Sequence, residues 1–251
     1  MESKQMVSRS SKQSGRSSRL ISRILPPAVR FWIQTQLDEI EDLCFQLNGQ
    51  DRQILKGYVP AVSLSAARAV YQGLHLSRVQ AEATEIYINL GQVIRGKPLR
   101  LLQPFPIQAK LVMDEANLNA SLQSALLLRA LQDFLGQLWA IENSPLRSHF
   151  SSPDIDIDAA EVALQSDFLR LSFASSQATM DLTTTLSVRQ GQILVLERPM
   201  LLTQSPCQSE GEQTSLGHFE IDLGDEVNIE SLNLKAGELE ICGTVRVVPG
   251  D

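Results

Sequence analysis

The chain of 251 residues is poor in the residues that build metal centres and disulfide frameworks. It has three cysteines, Cys44, Cys207 and Cys242, and no two of them are spaced as a CxxC pair. An odd number without that spacing argues against a disulfide framework and against a zinc site. Cys44 and Cys242 stand in strand-like runs, so we expect both to be small buried side chains.

Aromatic residues are scarce, and so is positive charge on the main body of the chain. Phe, Trp and Tyr make up 5% of the residues, which disfavours a base-stacking or sugar-binding surface. Residues 31–251 carry 15 Lys or Arg against 28 Asp or Glu, although the whole chain has a net charge of only −7. Because an acidic body repels phosphate, we expect no nucleic-acid partner.

The sequence contains no apolar run long enough to span a membrane, and its N-terminus lacks the apolar segment of a secretory signal. The compartment stays open between the cytoplasm and the membrane periphery. Residues 1–25 hold eight serines and six bases. Such a segment buries too little apolar surface to offset its ordering entropy, so we predict a disordered basic tail.

The sequence also lacks the signatures of catalysis. It has no GxSxG motif, and its three histidines are scattered, with no second histidine or cysteine at i+2 or i+4: His75, His149 and His218. Three acids are spaced like the first ligands of a calcium loop, without its glycine and its final glutamate: Asp154, Asp156 and Asp158. We therefore predict no catalytic residue, no metal and no cofactor, and a protein that is not an enzyme.

The run from Gly91 to Pro98 nearly matches a phosphate-binding loop. Gly91, Gly96 and Lys97 have the required spacing, but Pro98 replaces the hydroxyl that would bind magnesium. No amphipathic helix follows to offer its N-terminus to phosphate. We interpret the run as a polar turn with a basic residue.

Most of the remaining chain alternates apolar and polar residues with the period of a β-strand. The pair Asn48-Gly49 predicts a tight hairpin turn, and Ser65 to Tyr71 predicts a short helix. Residues 204–216 are rich in Ser, Gln, Glu and Gly, which predicts a mobile loop.

One segment, Ala125 to Ile141, instead has apolar residues at helical spacing. Leu118 and Leu122, just upstream, point in roughly the opposite direction, so we expect a break near Ser124. Either the apolar face is simply core, or one side of the helix–sheet interface stays open for acyl chains. In the second case the candidate lipid-binding residues are those on that face: Leu127, Leu128, Leu131, Phe134, Leu135 and Leu138.

Four stretches of the sequence resemble the LmeA-like phospholipid-binding proteins over roughly residues 27–248. They are Arg52 to Gly57 with Val62 to Ser77, Ile88 to Leu99, Asp114 to Leu122, and Val227 to Leu234 followed by Gly243. These are patterns of apolar residues and glycines, without a catalytic signature.

The resemblance implies an α+β fold in which a curved antiparallel sheet wraps around a long, broken amphipathic helix, similar to half of a BPI-type lipid-binding protein. It also implies non-enzymatic binding of phospholipid acyl chains in an apolar cavity between helix and sheet, for lipid carriage or maintenance of a membrane envelope. We expect a single domain over residues 26–250. The alternative is a structural or interaction protein with a filled core, which docks a membrane or protein partner through its basic tail.

The tail leads into a helix that starts near Pro26-Pro27 and carries two aromatic residues off its apolar stripe. Near an anionic lipid surface each base contributes about 1 kcal/mol, and aromatic rings favour the interface. The candidate membrane-contact residues are therefore Arg16, Arg19, Arg23, Arg30, Phe31 and Trp32.

Overall fold

The computed structural model describes residues 25–140, 160–174, 179–204 and 211–249. Every strand pair in these residues is antiparallel. The few helices are short beside this amount of sheet. The predicted antiparallel architecture is therefore confirmed.

The first sheet has six strands in the order β14-β15-β7-β6-β3-β2. Their bounds are β2 Cys44–Asn48, β3 Tyr58–Ala66, β6 Arg78–Tyr87, β7 Phe105–Asp114, β14 Val227–Lys235 and β15 Glu238–Val247. The last strand along the chain, β15, thus pairs with β7 over ten registered positions. This pairing ties the C-terminal part of the chain to the N-terminal part.

The second sheet also has six strands, in the order β12-β11-β10-β9-β8, with β13 paired to β11. Their bounds are β8 Glu161–Leu164, β9 Leu169–Ala174, β10 Thr179–Arg189, β11 Ile193–Gln204, β12 Glu212–Ser215 and β13 Phe219–Asp222. A small sheet of order β1-β4-β5 contains the remaining strands of the described part of the chain: β1 Glu39–Glu41, β4 Arg68–Tyr71 and β5 Leu74–Leu76.

Helix α1 is described over residues 25–36. The other helices of the described residues are α2 Asp51–Leu55, α3 Leu90–Val93, α4 Glu115–Ser121 and α5 Ala125–Ala140. The predicted break near Ser124 is confirmed, because α4 ends at Ser121 and α5 begins four residues later. The break lets Leu118 of α4 and Leu138 of α5 join one core, which a single straight helix would prevent.

Polar side chains fix α4 between the two sheets. Asp114 caps the helix by accepting a hydrogen bond from the backbone N–H of Asn117 at 2.8 Å. Asn119 donates to the carbonyl of Val162 and accepts from its N–H, both at 2.7 Å. Since β8 is an edge strand, these two bonds occupy backbone groups that would otherwise be unpaired.

Two apolar clusters form the core. The α5 cluster contains residues of α4, α5 and the second sheet, together with two residues of the first sheet, Met113 and Leu239. Its members are Met113, Leu118, Leu122, Leu131, Phe134, Leu135, Leu138, Val162, Leu164, Leu171, Phe173, Met180, Leu182, Leu201, Leu216, Phe219 and Leu239. The α1 cluster lies against one end of the first sheet: Leu25, Ile54, Val59, Ala83, Ile86, Ile88, Leu90, Val93, Leu99 and Phe105.

Two local predictions for the first 80 residues are wrong. The strands β2 and β3 do pair, but the connection between them contains helix α2. It is not the predicted tight turn at Asn48-Gly49. Ile54, one of the two apolar residues of α2, is buried in the α1 cluster, which stabilises the helical connection. The segment Ser65 to Tyr71 is not helical, because its second half pairs as β4 with β1 and β5.

Two predicted segment boundaries also shift. Leu25, placed at the end of the disordered tail, lies in α1 and is 0% exposed. Residues 1–24 lie outside the described residues. Glu212–Ser215, placed in the mobile loop, pairs with β11 as strand β12, while residues 205–210 lie outside the described part.

Candidate functional site

The C-terminal part of the predicted lipid-binding face of α5, from Leu131 to Leu138, is packed into the protein. Leu131, Phe134, Leu135 and Leu138 are all buried members of the α5 cluster. The ring of Phe134 meets that of Phe219 edge to face, with 4.9 Å between the ring centroids. These contacts join α5 to the second sheet.

The first turn of α5, on the same face, is less enclosed. Leu127 and Leu128 are half-buried, and the neighbouring Leu126 is exposed. Leu127 packs against the edge of the α5 cluster. Lipid contact by the six predicted helix residues stays a prediction. The four C-terminal ones of the six are packed in the core, so their side chains do not face open space.

A different apolar surface crosses the first sheet between the two clusters. The strand registers align Phe45 with Leu64, Leu64 with Ala81, and Ala81 with Ala109. Directly paired residues of a sheet point to the same face, so these side chains form one row across four strands. The row continues through Gly243 on β15 to Ile229 on β14.

We call this surface the inner band and define it by seven half-buried apolar residues: Phe45, Leu64, Val79, Ala81, Ala109, Leu111 and Ile229. Within the described part of the chain, none of them belongs to either cluster. On one side the sheet continues to Val62 and Ile107, which pack against the α1 cluster. On the other side it continues to Leu232 and Ile241, which pack against the α5 cluster.

Small side chains form the floor of the inner band at its centre. Gly243, Ala109 and Ala81 are adjacent in the row, whereas Ile107 and Leu111 stand two positions away along β7. A side chain at position 243 would overlap the backbone of Asn228 and Ile229 on β14. The row is therefore a shallow trough with larger apolar side chains along its walls.

The opposite face of the same sheet is polar. A groove of about 510 Å³ on this sheet is lined by polar-face residues, among them Gln80, Glu82, Gln108 and Lys110, and also by four inner-band residues: Phe45, Leu64, Ala81 and Ala109. The Lys110 Nζ lies 3.0 Å from Glu240 Oε2. Their hydrogen bond raises the pKa of Lys110 and lowers the pKa of Glu240.

The two described cysteines belong to this polar face, one row from the trough. Cys44 is exposed and Cys242 is half-buried, and both are free thiols. The prediction of buried cysteines is therefore wrong for Cys44. Its strand alternates, and the apolar neighbour Phe45 takes the inner face instead.

Three of the predicted membrane-contact residues lie on α1. The Arg30 guanidinium donates a hydrogen bond to the carbonyl of Leu43 at 3.2 Å. Phe31 is 64% exposed, and Trp32 is half-buried against the α1 cluster. Arg16, Arg19 and Arg23 lie outside the described residues, so membrane contact by the whole set stays a prediction.

The described histidines have different surroundings. His218 is exposed, with Nε2 3.4 Å from Glu220 Oε1, and the backbone N–H of His75 donates to Ser121 Oγ at 2.8 Å. Among the described residues no group of three or more His, Cys, Asp or Glu is placed to hold a metal ion. His149 and the acids Asp154, Asp156 and Asp158 lie outside those residues. A membrane-spanning helix needs about 20 mostly apolar residues, and none of the helices in the described ranges meets that requirement.

A family model described as LmeA-like phospholipid-binding matches residues 17–244. The chain belongs to the LmeA-like phospholipid-binding family. Comparison with curated proteins gives no match, and comparison with solved structures gives none either. The family description names a binding property and no reaction, and it gives phospholipid as the partner.

Four polar residues of the stretches that resembled the LmeA-like family form structural hydrogen bonds in this chain: Ser77, Asp114, Asn117 and Ser121. The hydroxyl of Ser77 accepts from the Asp114 N–H at 2.8 Å and from the Asn117 side chain at 2.9 Å. Ser121 is fully buried, and its hydroxyl donates to the Asn117 carbonyl at 2.7 Å. These bonds hold α4 against the end of the first sheet.

Sequence reasoning missed the inner band. Ala81 and Ala109 are small and unremarkable, and they lie 28 positions apart along the chain. Strand alternation alone places each of them on an apolar face. Only the register of β6 against β7 makes them neighbours.

Proposed function

We propose that the protein binds a phospholipid by laying an acyl chain along the inner band of the first sheet. The observation that carries the proposal is a continuous half-buried apolar row between two packed clusters, with Gly243, Ala109 and Ala81 as its floor. The membership in a phospholipid-binding family supplies the ligand class. Binding, and no reaction, is the proposed activity.

The dimensions of the inner band support an acyl chain as the ligand. Strands lie about 4.8 Å apart, so a row across the six strands of the first sheet spans about 24 Å. Half of a bilayer core, the length of one extended acyl chain, is about 15 Å. Each methylene that leaves water contributes about 0.8 kcal/mol, so partial burial of one chain is enough for useful affinity.

In this proposal α5 closes one side of the site. Its buried face belongs to the cluster against which Leu232, Leu234 and Ile241 of the first sheet pack. Leu127 and Leu128, at the less enclosed start of α5, would meet the end of a long chain. The proposal thus keeps the predicted wrap of sheet around helix, as in half of a BPI-type fold, and the predicted role in lipid carriage.

Filling the trough should abolish most of the lipid binding. Replacing Ala81 or Ala109 with phenylalanine would place a ring over the floor of the inner band and displace at least two methylenes. At about 0.8 kcal/mol each, this loss predicts about a tenfold or greater fall in affinity. The measurement is the amount of phospholipid that the purified protein retains in native mass spectrometry after incubation with vesicles.

Ala67→Phe is the matched control, because Ala67 is exposed and lies between β3 and β4, outside the band. Circular dichroism and thermal unfolding check that all variants are folded. If Ala81→Phe and Ala109→Phe fold and retain lipid as the unaltered chain does, the band is not the site. If Leu127→Gln with Leu128→Gln alone removes the lipid, the ligand lies along α5 instead.

The basic tail gives a separate prediction. Replacing Arg16, Arg19 and Arg23 with glutamine removes three bases that would each contribute about 1 kcal/mol at an anionic surface. We expect weaker sedimentation with anionic vesicles at low salt and unchanged lipid retention. Substitution is preferable to a chain that starts at Pro26, because Leu25 is fully buried in the α1 cluster. Equal sedimentation of the two proteins would contradict the role of the tail.

A further inference from the structure

One end of the first sheet carries an exposed surface that combines apolar side chains with positive charge. We call it the basic tip. It consists of four exposed apolar or aromatic residues and five exposed bases: Leu55, Tyr87, Ile94 and Leu102 with Arg52, Lys56, Arg95, Lys97 and Arg100. They come from α2, the end of β6, α3 and the segment that follows α3.

The charge of the basic tip is opposite to that of the body. Five of the 15 bases in residues 31–251 lie in residues 50–57 and 88–103, where Asp51 is the single acid. Within the described part of the chain, none of the five forms an ion pair with a carboxylate. Their charges therefore point into solvent and are available to an anionic partner.

The apolar residues of the tip are unusually exposed for their size. Leu102 is 58% exposed and Ile94 is 45% exposed. Leu55 and Leu102 also line one groove of about 450 Å³ together with Lys56 and Arg95. Apolar and cationic side chains are thus interleaved, which is the pattern of a surface that sits at the boundary of headgroups and acyl chains.

Hydrogen bonds hold the tip in shape. The side chain of the buried Asn89 accepts from the Arg100 N–H at 2.7 Å and donates to the Pro98 carbonyl at 3.0 Å. The Leu102 N–H donates to the Tyr87 carbonyl at 2.8 Å. Beneath them Leu90, Val93 and Leu99 are buried in the α1 cluster. The segment with the exposed bases is therefore anchored to the sheet before any partner arrives.

We propose that the basic tip docks the protein on the surface of an anionic phospholipid bilayer. Charge complementarity selects the partner, because unpaired Lys and Arg attract anionic headgroups while Leu102, Ile94 and Leu55 enter the interface. The acidic body would be repelled by the same surface, so docking is oriented with the tip toward the lipid. The proposal rests on the proposed function in one respect: a protein that binds phospholipid must reach the membrane that contains it.

The test is co-sedimentation of the full chain with two kinds of vesicle, phosphatidylcholine alone and phosphatidylcholine with phosphatidylglycerol. The test variant is R95Q/K97Q/R100Q. Each base contributes about fivefold to the partition coefficient, so the triple variant should bind the anionic vesicles about 100-fold more weakly. Raising the salt concentration should also weaken the binding of the unaltered protein to the anionic vesicles.

The matched control is R78Q/R129Q/R198Q, which removes the same charge from exposed bases outside the tip. It should bind anionic vesicles as the unaltered chain does. A second variant, Leu102→Ser with Ile94→Ser, tests insertion and should weaken binding to anionic vesicles without a change in charge.

Equal losses in R95Q/K97Q/R100Q and R78Q/R129Q/R198Q would overturn the proposal, because only total charge would then matter. Absence of binding to anionic vesicles by the unaltered chain would overturn it too, and would leave a protein partner for the tip. Lipid retention in native mass spectrometry separates this test from that of the inner band. The tip variants should retain a supplied short-chain phospholipid, which Ala81→Phe should not.

Discussion

Replacing Leu138 with alanine should lower the free energy of unfolding by about 2–5 kcal/mol. The Leu138 side chain is 1% exposed and lies in the α5 cluster, between α5 and the second sheet. Its removal takes apolar surface out of the core and leaves a cavity that the sheet cannot fully close. Urea unfolding followed by circular dichroism measures the change, with the midpoint and the slope fitted separately.

Leu126→Ala is the matched control, since it makes the same substitution on the same helix. Leu126 is 56% exposed, so the free energy of unfolding should change by no more than about 0.5 kcal/mol. Similar small losses at both positions would contradict the packed arrangement of α5. They would favour a helix that lines an open groove, and with it the role that the sequence suggested for the C-terminal part of this face of α5.

The second large effect is expected at Gly57, which joins α2 to β3. Gly57 has a φ of 82°, and a Cβ there would overlap the carbonyl oxygen of Ile88. The N–H of Ile88 donates to the carbonyl of Gly57 at 2.8 Å, so the two backbones cannot separate freely. Gly57→Ala should lower the free energy of unfolding by about 2–4 kcal/mol, from backbone strain plus overlap.

Gly96→Ala separates the two causes. Gly96 has a φ of 80°, but a Cβ there would meet no atom within 4 Å. Only the backbone strain applies, so the expected loss is about 1–2 kcal/mol. Equal losses at the two positions would show that the contact between Gly57 and Ile88 is looser than described. Thermal or urea unfolding of both variants under one set of conditions gives the comparison.

The amino-acid sequence by itself determined the local features that depend on near neighbours. Alternating apolar and polar residues predicted antiparallel strands. The apolar stripes before and after Ser124 point in opposite directions, which predicted two helices and not one continuous helix. Asp114 is of a residue type that favours a helix N-terminus, and its side chain accepts a hydrogen bond from the backbone N–H of Asn117. The resemblance carried by glycines and apolar residues identified the family.

Local signals failed where a distant contact outweighed them. Asn48-Gly49 favours a tight turn, but the burial of Ile54 in the α1 cluster stabilises a helical connection instead. Leu25 follows a polar, serine-rich stretch, yet it is fully buried because α1 packs on the first sheet. The prediction of disorder rested on the average composition of residues 1–25, and an average does not show that one residue is covered by a distant part of the chain.

Only the tertiary structure decided which surfaces are candidates for binding. The α5 face looks the same in the sequence whether it is core or groove, and the second sheet, packed on Phe134 and Leu138, makes its C-terminal part core. The inner band exists because strand register aligns Ala81 with Ala109. The basic tip exists because the Gly57–Ile88 contact joins segments that are 31 residues apart in the chain. Periodicity fixes which way a side chain points relative to its own backbone, whereas register and packing fix what it meets.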